Sequence, residues 1–387
     1  MQRLQARDVE GYLAKLTPEA QAIERPIAVG SQMVPLTGVE LRLNPGSVEP
    51  TSPRLVGVKV DFRYRYEGLT EDNVFRIPLV YDLEFDSEGW QVLTARLGDG
   101  ASLPVWATGP IHAERTEHFL GLFRPGLADA RRILAQAEQA RAQLDGKITF
   151  PLENVYLLLM ARNGPEYEAM TSARLGQVSA VAQVETSYEV TPDSPTQKGR
   201  IQVQSRQIIV NVEQLTKDNS ALETFRHELG HLAVAQYTRP FTPAWVSESA
   251  AMYLAGTRPT AIWRSGLNRR AFDSITFDEL TRASNLGEHD SSREAISLNY
   301  AYAAAAGWYL VETFGPERYW EFYRSFAEVP ANALYQRLPE ADDPNLRDEA
   351  IEALAVQTTE SSLLRIFGLD TAGLDFRARQ WMGAVSR

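Results

Sequence analysis

The sequence predicts an α+β protein in two parts. A small N-terminal unit of helix plus antiparallel sheet comes first, and a larger unit follows in which a mixed sheet gives way to a mainly helical half. Three observations carry this. Val58, Val60, Phe62, Tyr64 and Tyr66 alternate with Lys59, Asp61, Arg63 and Arg65, which is the period of a sheet with one wet face. Val155 to Met160 is an almost unbroken apolar run, as expected of a strand covered on both sides. From Leu215 onward the pattern is mainly helical.

Taken in order, Asp8 to Leu16 predicts a short helix, with Val9, Tyr12, Leu13 and Leu16 at helical spacing. After the Val58–Tyr66 strand, Ile77 to Phe85 and Trp90 to Leu97 read as two more strands joined by the turn Asp86-Ser87-Glu88-Gly89. A helix followed by an alternating antiparallel sheet that ends in Gly-Trp-Gln-Val-Leu resembles the nuclear-transport-factor-like cone fold. Leu103 to Gly126 contains Pro104, Gly109, Pro110, Pro125 and Gly126, and reads as the connection between domains with a strand in its middle. Leu127 to Leu144 predicts a long helix whose apolar stripe is Leu127, Ala130, Leu134, Ala137 and Ala140. Val178 to Val190 and Arg206 to Val212 add strands. The expected division is an accessory domain over 1–120 and a second domain over 127–387.

The bulk numbers exclude several functions. The 387 residues carry a net charge of −11, spread along the chain, which argues against nucleic acid or an anionic membrane surface as partner. With no cysteine there is no disulfide, thiolate metal site or thiol nucleophile. No apolar run is long enough for a membrane span, and Met1 to Glu10 are too polar for a signal peptide.

The chemistry sits at His227-Glu228-Leu229-Gly230-His231, an H-E-x-x-H pattern. Residues four apart share a helix face at about 6 Å, so two imidazoles there reach one tetrahedral ion at roughly 2.0–2.1 Å. Glu228 points off the ligand line but stays close to the ion's open position, where a general base belongs. Leu222, Phe225, Leu229, Leu232 and Ala233 supply the helix's buried side, and Gly230 is expected to remove a side chain beside the metal. Two histidines leave a catalytic zinc one protein ligand short. The metzincin pattern needs a glycine three residues and a histidine six residues after His231; the chain has Val234 and Tyr237. Residues 242–256 read TPAWVSESAAMYLAG, with Pro243 and Ser247 as helix-entry residues and Glu248 in the first turn, seventeen positions after His231. The resemblance to gluzincins, which take a glutamate from a later helix at about this interval, implies Glu248 as third ligand, with Glu223 and Glu312 as weaker alternatives.

HELGH followed by PAWVSESAAMYLAG resembles the peptidase MA-like gluzincin family, over about residues 127–387, with Ser249 where that family commonly has glycine. The resemblance implies a thermolysin-like fold, Zn²⁺ as cofactor, and hydrolysis of peptide bonds in a peptide or protein substrate. It implies that Tyr300, in NYAYAAAAGWYLVETFG, faces the metal and stabilises the oxyanion, with Tyr302 as fallback. It also implies an edge strand that holds the substrate backbone; Ser179 to Tyr188 fits, with Ala182 and Gln183 nearest its middle. A location outside the cytoplasm is favoured on the same ground. The alternatives are an amide hydrolase other than a peptidase, a binding protein on the same zinc scaffold, or a structural zinc beside a binding function of the N-terminal unit. His112, His118 and His289 are expected to have no catalytic role.

Overall fold

The computed structural model describes residues 2–44, 53–87, 89–171, 179–189, 200–259, 276–283, 286, 293–329 and 344–385. His289, Val178 and Val190 lie outside them. By packing, the chain forms two compact units: residues 1–138, 153–185 and 204–221 in one, and 139–152, 186–203 and 222–387 in the other.

The first unit opens with helices α1 (Gln2–Gln5), α2 (Val9–Leu13) and α3 (Pro18–Gly30). Asp8 caps α2 by accepting from Gly11 N–H at 2.8 Å, and Thr17 caps α3 by accepting from Ala20 N–H at 3.3 Å. Four antiparallel strands follow in the order β1-β2-β3-β4: β1 (Leu36–Leu43), β2 (Arg54–Tyr66), β3 (Phe75–Asp86) and β4 (Gly89–Leu97). The alternation read in β2 is its burial pattern: Val58, Val60, Phe62, Tyr64 and Tyr66 are buried, and their neighbours are not. Pairing sets Phe62 opposite Ile77 and Tyr64 opposite Phe75, so one face of the sheet is apolar throughout.

A second, mixed sheet has the order β5-β6-β7-β9-β8, from β5 (His112–Arg115), β6 (Phe119–Phe123), β7 (Tyr156–Ala161), β8 (Ala180–Glu189) and β9 (Arg200–Asn211). β5 pairs antiparallel with β6, while β6–β7 and β7–β9 are parallel. Between β6 and β7 runs α4 (Ala130–Leu144), the crossover that parallel pairing requires. Gly121 in β6 makes that crossover tight: a Cβ there would sit 3.0 Å from Leu134 Cδ2 and 2.9 Å from Met160 Cε. The region 103–126, expected as a connection with a strand in its middle, holds β5 and the fully buried β6 of this sheet. Leu120, Leu122, Leu157, Leu159 and Ile209 join the core of the four-stranded sheet, so the two sheets share one apolar interior. Helices α5 (Gly164–Thr171) and α6 (Val212–Asp218) flank the second sheet in sequence.

The second unit is mainly helical. It contains α7 (Ala221–Val234, from Leu222), α8 (Ala244–Ala255), α9 (Phe277–Arg282), α10 (Arg293–Phe314), α11 (Pro316–Glu328), α12 (Pro344–Phe367) and α13 (Thr371–Val385). Trp245, fully buried, packs edge-on to Phe277 at 5.0 Å and donates from Nε1 to Thr281 Oγ1 at 3.0 Å, which ties α8 to α9. Among the described residues no helix is long and apolar enough to cross a membrane.

Candidate metal centre

Two helices build the site, and both are held by close backbone approach. Phe225, Leu229, Leu232 and Ala233 are buried along α7, which turns His227 and His231 to a common face. Gly230 faces α8: a Cβ there would stand 3.1 Å from Ala251 Cα and 3.3 Å from Leu254 Cδ1. The glycine thus lets α7 and α8 touch, instead of clearing room beside a metal as expected. One residue before His227, Arg226 donates from Nε to the carbonyl of Ala255 at 2.8 Å, the last residue of α8. The same guanidinium also bonds Gln143.

On α8 the N-cap is Pro243, so Glu248 is the fifth helical residue, not a first-turn residue as the sequence suggested. A dipole role at the helix start is therefore weakened. Ser249 is 1% exposed, donates to the carbonyl of Val246 at 2.9 Å and meets Tyr319 Oη at 2.7 Å. It fits because residue 307 on α10 is glycine: a Cβ there would come within 2.9 Å of Ser249 Cβ.

Three donor atoms converge. His227 Nε2 and His231 Nε2 are 3.1 Å apart, and Glu248 Oε2 is 3.2 Å from the first and 3.6 Å from the second. Donors at about 2.0–2.1 Å from a tetrahedral ion are about 3.3–3.4 Å from one another, so this triangle has the dimensions of three corners of a zinc site. Glu248 Oε2 is buried, with the two imidazole nitrogens as its near polar neighbours. A carboxylate oxygen and two facing imidazole nitrogens are together satisfied by a cation held in common. The side chains keep 21%, 20% and 18% exposure, so the group is only partly covered. Among the described residues this is the cluster of histidine and carboxylate donors with metal-holding spacing.

The charges are strongly coupled. Burial lowers the His227 imidazole, but the hydrogen bond and charge of Glu248, with Glu228 and Glu223 behind it, raise it to about 9. Burial raises Glu248, and the two imidazoles outweigh it and hold the carboxyl far below its usual range. Glu228 is 7% exposed, and its charge acts on both His227 and Tyr300.

Tyr300 stands beside Glu248. The Glu248 charge, burial and the Glu228 charge all push its phenol up, and it hydrogen-bonds Glu248. Tyr302, the fallback, is a core residue, stacked on Phe277 at 4.3 Å with the Arg379 guanidinium 4.8 Å from its ring. The two weaker ligand candidates have other partners. Glu223 accepts from Thr257, and Glu312 pairs with Arg258 at 2.5 Å and accepts from Trp381 at 3.0 Å. His118 bonds Glu138 at 2.8 Å, and His112 is exposed against Phe123. Ala182 and Gln183 lie on β8, the edge strand of the mixed sheet, in the first unit; Gln183 Oε1 accepts from Gln207 Nε2 at 2.8 Å. Arg226 and Ser249 support the site through Ala255, Gln143 and Tyr319, partners tens of residues away that no local pattern signals.

Compared with protein-family models and with curated proteins, the chain gives no match, so the donor triangle, and not kinship, is what speaks for its chemistry.

Proposed function

We propose that this chain is a zinc-dependent peptidase of the gluzincin kind, with His227, His231 and Glu248 as metal ligands, Glu228 as general base and Tyr300 as oxyanion donor. The observation that carries the reading is the triangle of His227, His231 and Glu248 donor atoms, 3.1–3.6 Å on a side. A structural zinc would be closed by a fourth protein ligand, and among the described residues the group consists of these three. Two imidazoles and a carboxylate favour zinc over harder ions.

Bound there, zinc supplies a Lewis acid that makes water nucleophilic near neutral pH. Glu228 accepts the water's proton as its oxygen bonds to the scissile carbonyl carbon. Tyr300 donates a hydrogen bond to the carbonyl oxygen as charge builds on it, an interaction of about 3 kcal/mol in comparable sites. Glu228 then passes the proton to the leaving nitrogen as the C–N bond breaks, giving a carboxylate and an amine. Ala182 and Gln183 are proposed to pair with the substrate backbone along the open edge of β8. In the same proposal residues 127–387 form the peptidase domain and 1–120 an accessory domain; the HELGH helix, Glu248 and Tyr300 all fall in the former. The substrate is a peptide or protein chain.

The test is digestion of an unfolded protein by the zinc-loaded chain, with and without a chelator. Cleavage that stops with chelator and returns with zinc is expected. A zinc-loaded chain that cleaves no peptide bond sinks the peptidase reading while leaving the metal site standing.

A further inference from the structure

A cavity of about 750 Å³ lies within the first compact unit, walled by β2 and β3, by α5 and by β8 and β9. It is a cleft partly open to solvent, with exposed Ala169 and Val184 in its lining. It also falls inside the range of about 300–1,000 Å³ typical of small-molecule sites.

Its chemistry is specific. The floor is an aromatic cluster: Tyr66 stands edge-on to Tyr64 at 5.6 Å and to Phe75 at 5.2 Å, and Tyr64 stacks on Phe75 at 5.7 Å. All three residues are buried, and Tyr66 Oη accepts from Trp106 Nε1 at 3.0 Å. Burial pushes both phenols up, so they stay uncharged. Leu159 and Met170 continue the apolar wall. The charged side chains in the lining are Arg76, Arg124, Glu166 and Glu185, and they come as pairs. Arg76 bonds Glu185, and Arg124 Nε lies 3.3 Å from Glu166 Oε1. Two positive and two negative charges cancel. Gln183 and Gln207, bonded to each other, add uncharged amides on one wall.

We propose that this cavity binds a small uncharged molecule with a flat apolar body and a hydrogen-bonding edge. The aromatic floor takes the body, and the amides and phenols take the edge. A charged ligand would lose its hydration and meet no uncompensated opposite charge, which is costly. The site needs no metal ion, although it shares Ala182 and Gln183 with the strand proposed to hold the peptide substrate.

The experiment titrates the full chain with prodan, an uncharged naphthalene fluorophore whose emission shifts to the blue in apolar surroundings, and with anionic anilinonaphthalene sulfonate of similar size. Saturable, blue-shifted prodan binding is expected, with the anionic dye weaker by about tenfold or more. Ala182→Phe on β8 and Ala169→Trp on α5 fill the cavity from two different elements and are each expected to weaken prodan by about tenfold or more, with zinc content and circular dichroism unchanged. Ala169 is exposed on α5, so its variant keeps the fold and decides the matter if the other does not. Prodan that fails to saturate, or that binds the folded variants as it binds the wild type, overturns the site. Equal or tighter binding of the anionic dye overturns its preference for uncharged molecules.

Discussion

His227 Nε2 and His231 Nε2 face each other at 3.1 Å with Glu248 Oε2 3.2 Å from the former, an arrangement in which three polar atoms converge on one point. Removing one of them should cost metal directly. Glu248→Ala is expected to lower zinc affinity by more than about a hundredfold, beyond what losing a supporting residue costs. Competition against a fluorescent chelator reads it. Undiminished affinity in Glu248→Ala would remove this residue from the ligand set. By linkage, zinc at a thousand times its Kd should stabilise the fold by about 4 kcal/mol, seen as a higher Tm than with chelator.

Glu228→Gln keeps the shape of the side chain and loses its basicity. It should bind zinc as the wild type does and lose about 10²–10⁴ in kcat. Zinc content and turnover are measured on the same sample; full turnover would assign the base elsewhere.

Tyr300→Phe removes the proposed donor without disturbing packing. A fall in kcat of about 10² or more with little change in KM is expected. Tyr302→Phe, in the aromatic core beside Phe277, should leave kcat alone.

Gly307→Ala forces a methyl to within 2.9 Å of Ser249 Cβ, and should destabilise the fold by about 1–3 kcal/mol. Adding Ser249→Gly should recover part of the loss, since the two residues are in contact and their effects are not additive. Denaturant unfolding of the four-member cycle gives the coupling; additive losses would mean that the helices part without strain.

Glu24 is fully buried; Tyr12 Oη donates to it at 2.8 Å, and Tyr81 Oη donates to its other oxygen. Burial raises its pKa above 4.5 against the pull of the two phenols. The folded state therefore binds this proton more tightly than the unfolded state does. That contribution is full below the ordinary glutamate value and is lost as pH rises through the folded value. Glu24→Gln should therefore gain stability over wild type with rising pH, the two being closest near pH 4. Thermal unfolding at several pH values checks it, and a pH-independent difference would contradict it.

The parts legible in sequence are those whose signal is local. β2 shows its faces because alternation is a property of consecutive residues, and His227 and His231 show theirs because a helix brings i and i+4 together. Glu248 was readable from the motif around it. What stayed hidden depends on partners far along the chain. A strand is expected within 103–126, but its burial in a sheet comes from the parallel pairing of Phe119–Phe123 with Tyr156–Met160. Pro18–Gly30 is helical despite Pro26, and its closing Gly30 is required because a Cβ would lie 2.2 Å from the carbonyl oxygen of Trp106. Gly230 was misread because only the neighbouring helix reveals what it makes room for.

The latch from Arg226 to the end of α8 and the bare contact of Gly230 with Ala251 fasten the two ligand-bearing helices at separate points, neither of which involves an ion. On the proposed zinc reading, a cation enters a socket already cut to size. The chain should then take up cobalt or manganese without refolding, so a spectroscopically visible substitute can report on the pocket directly.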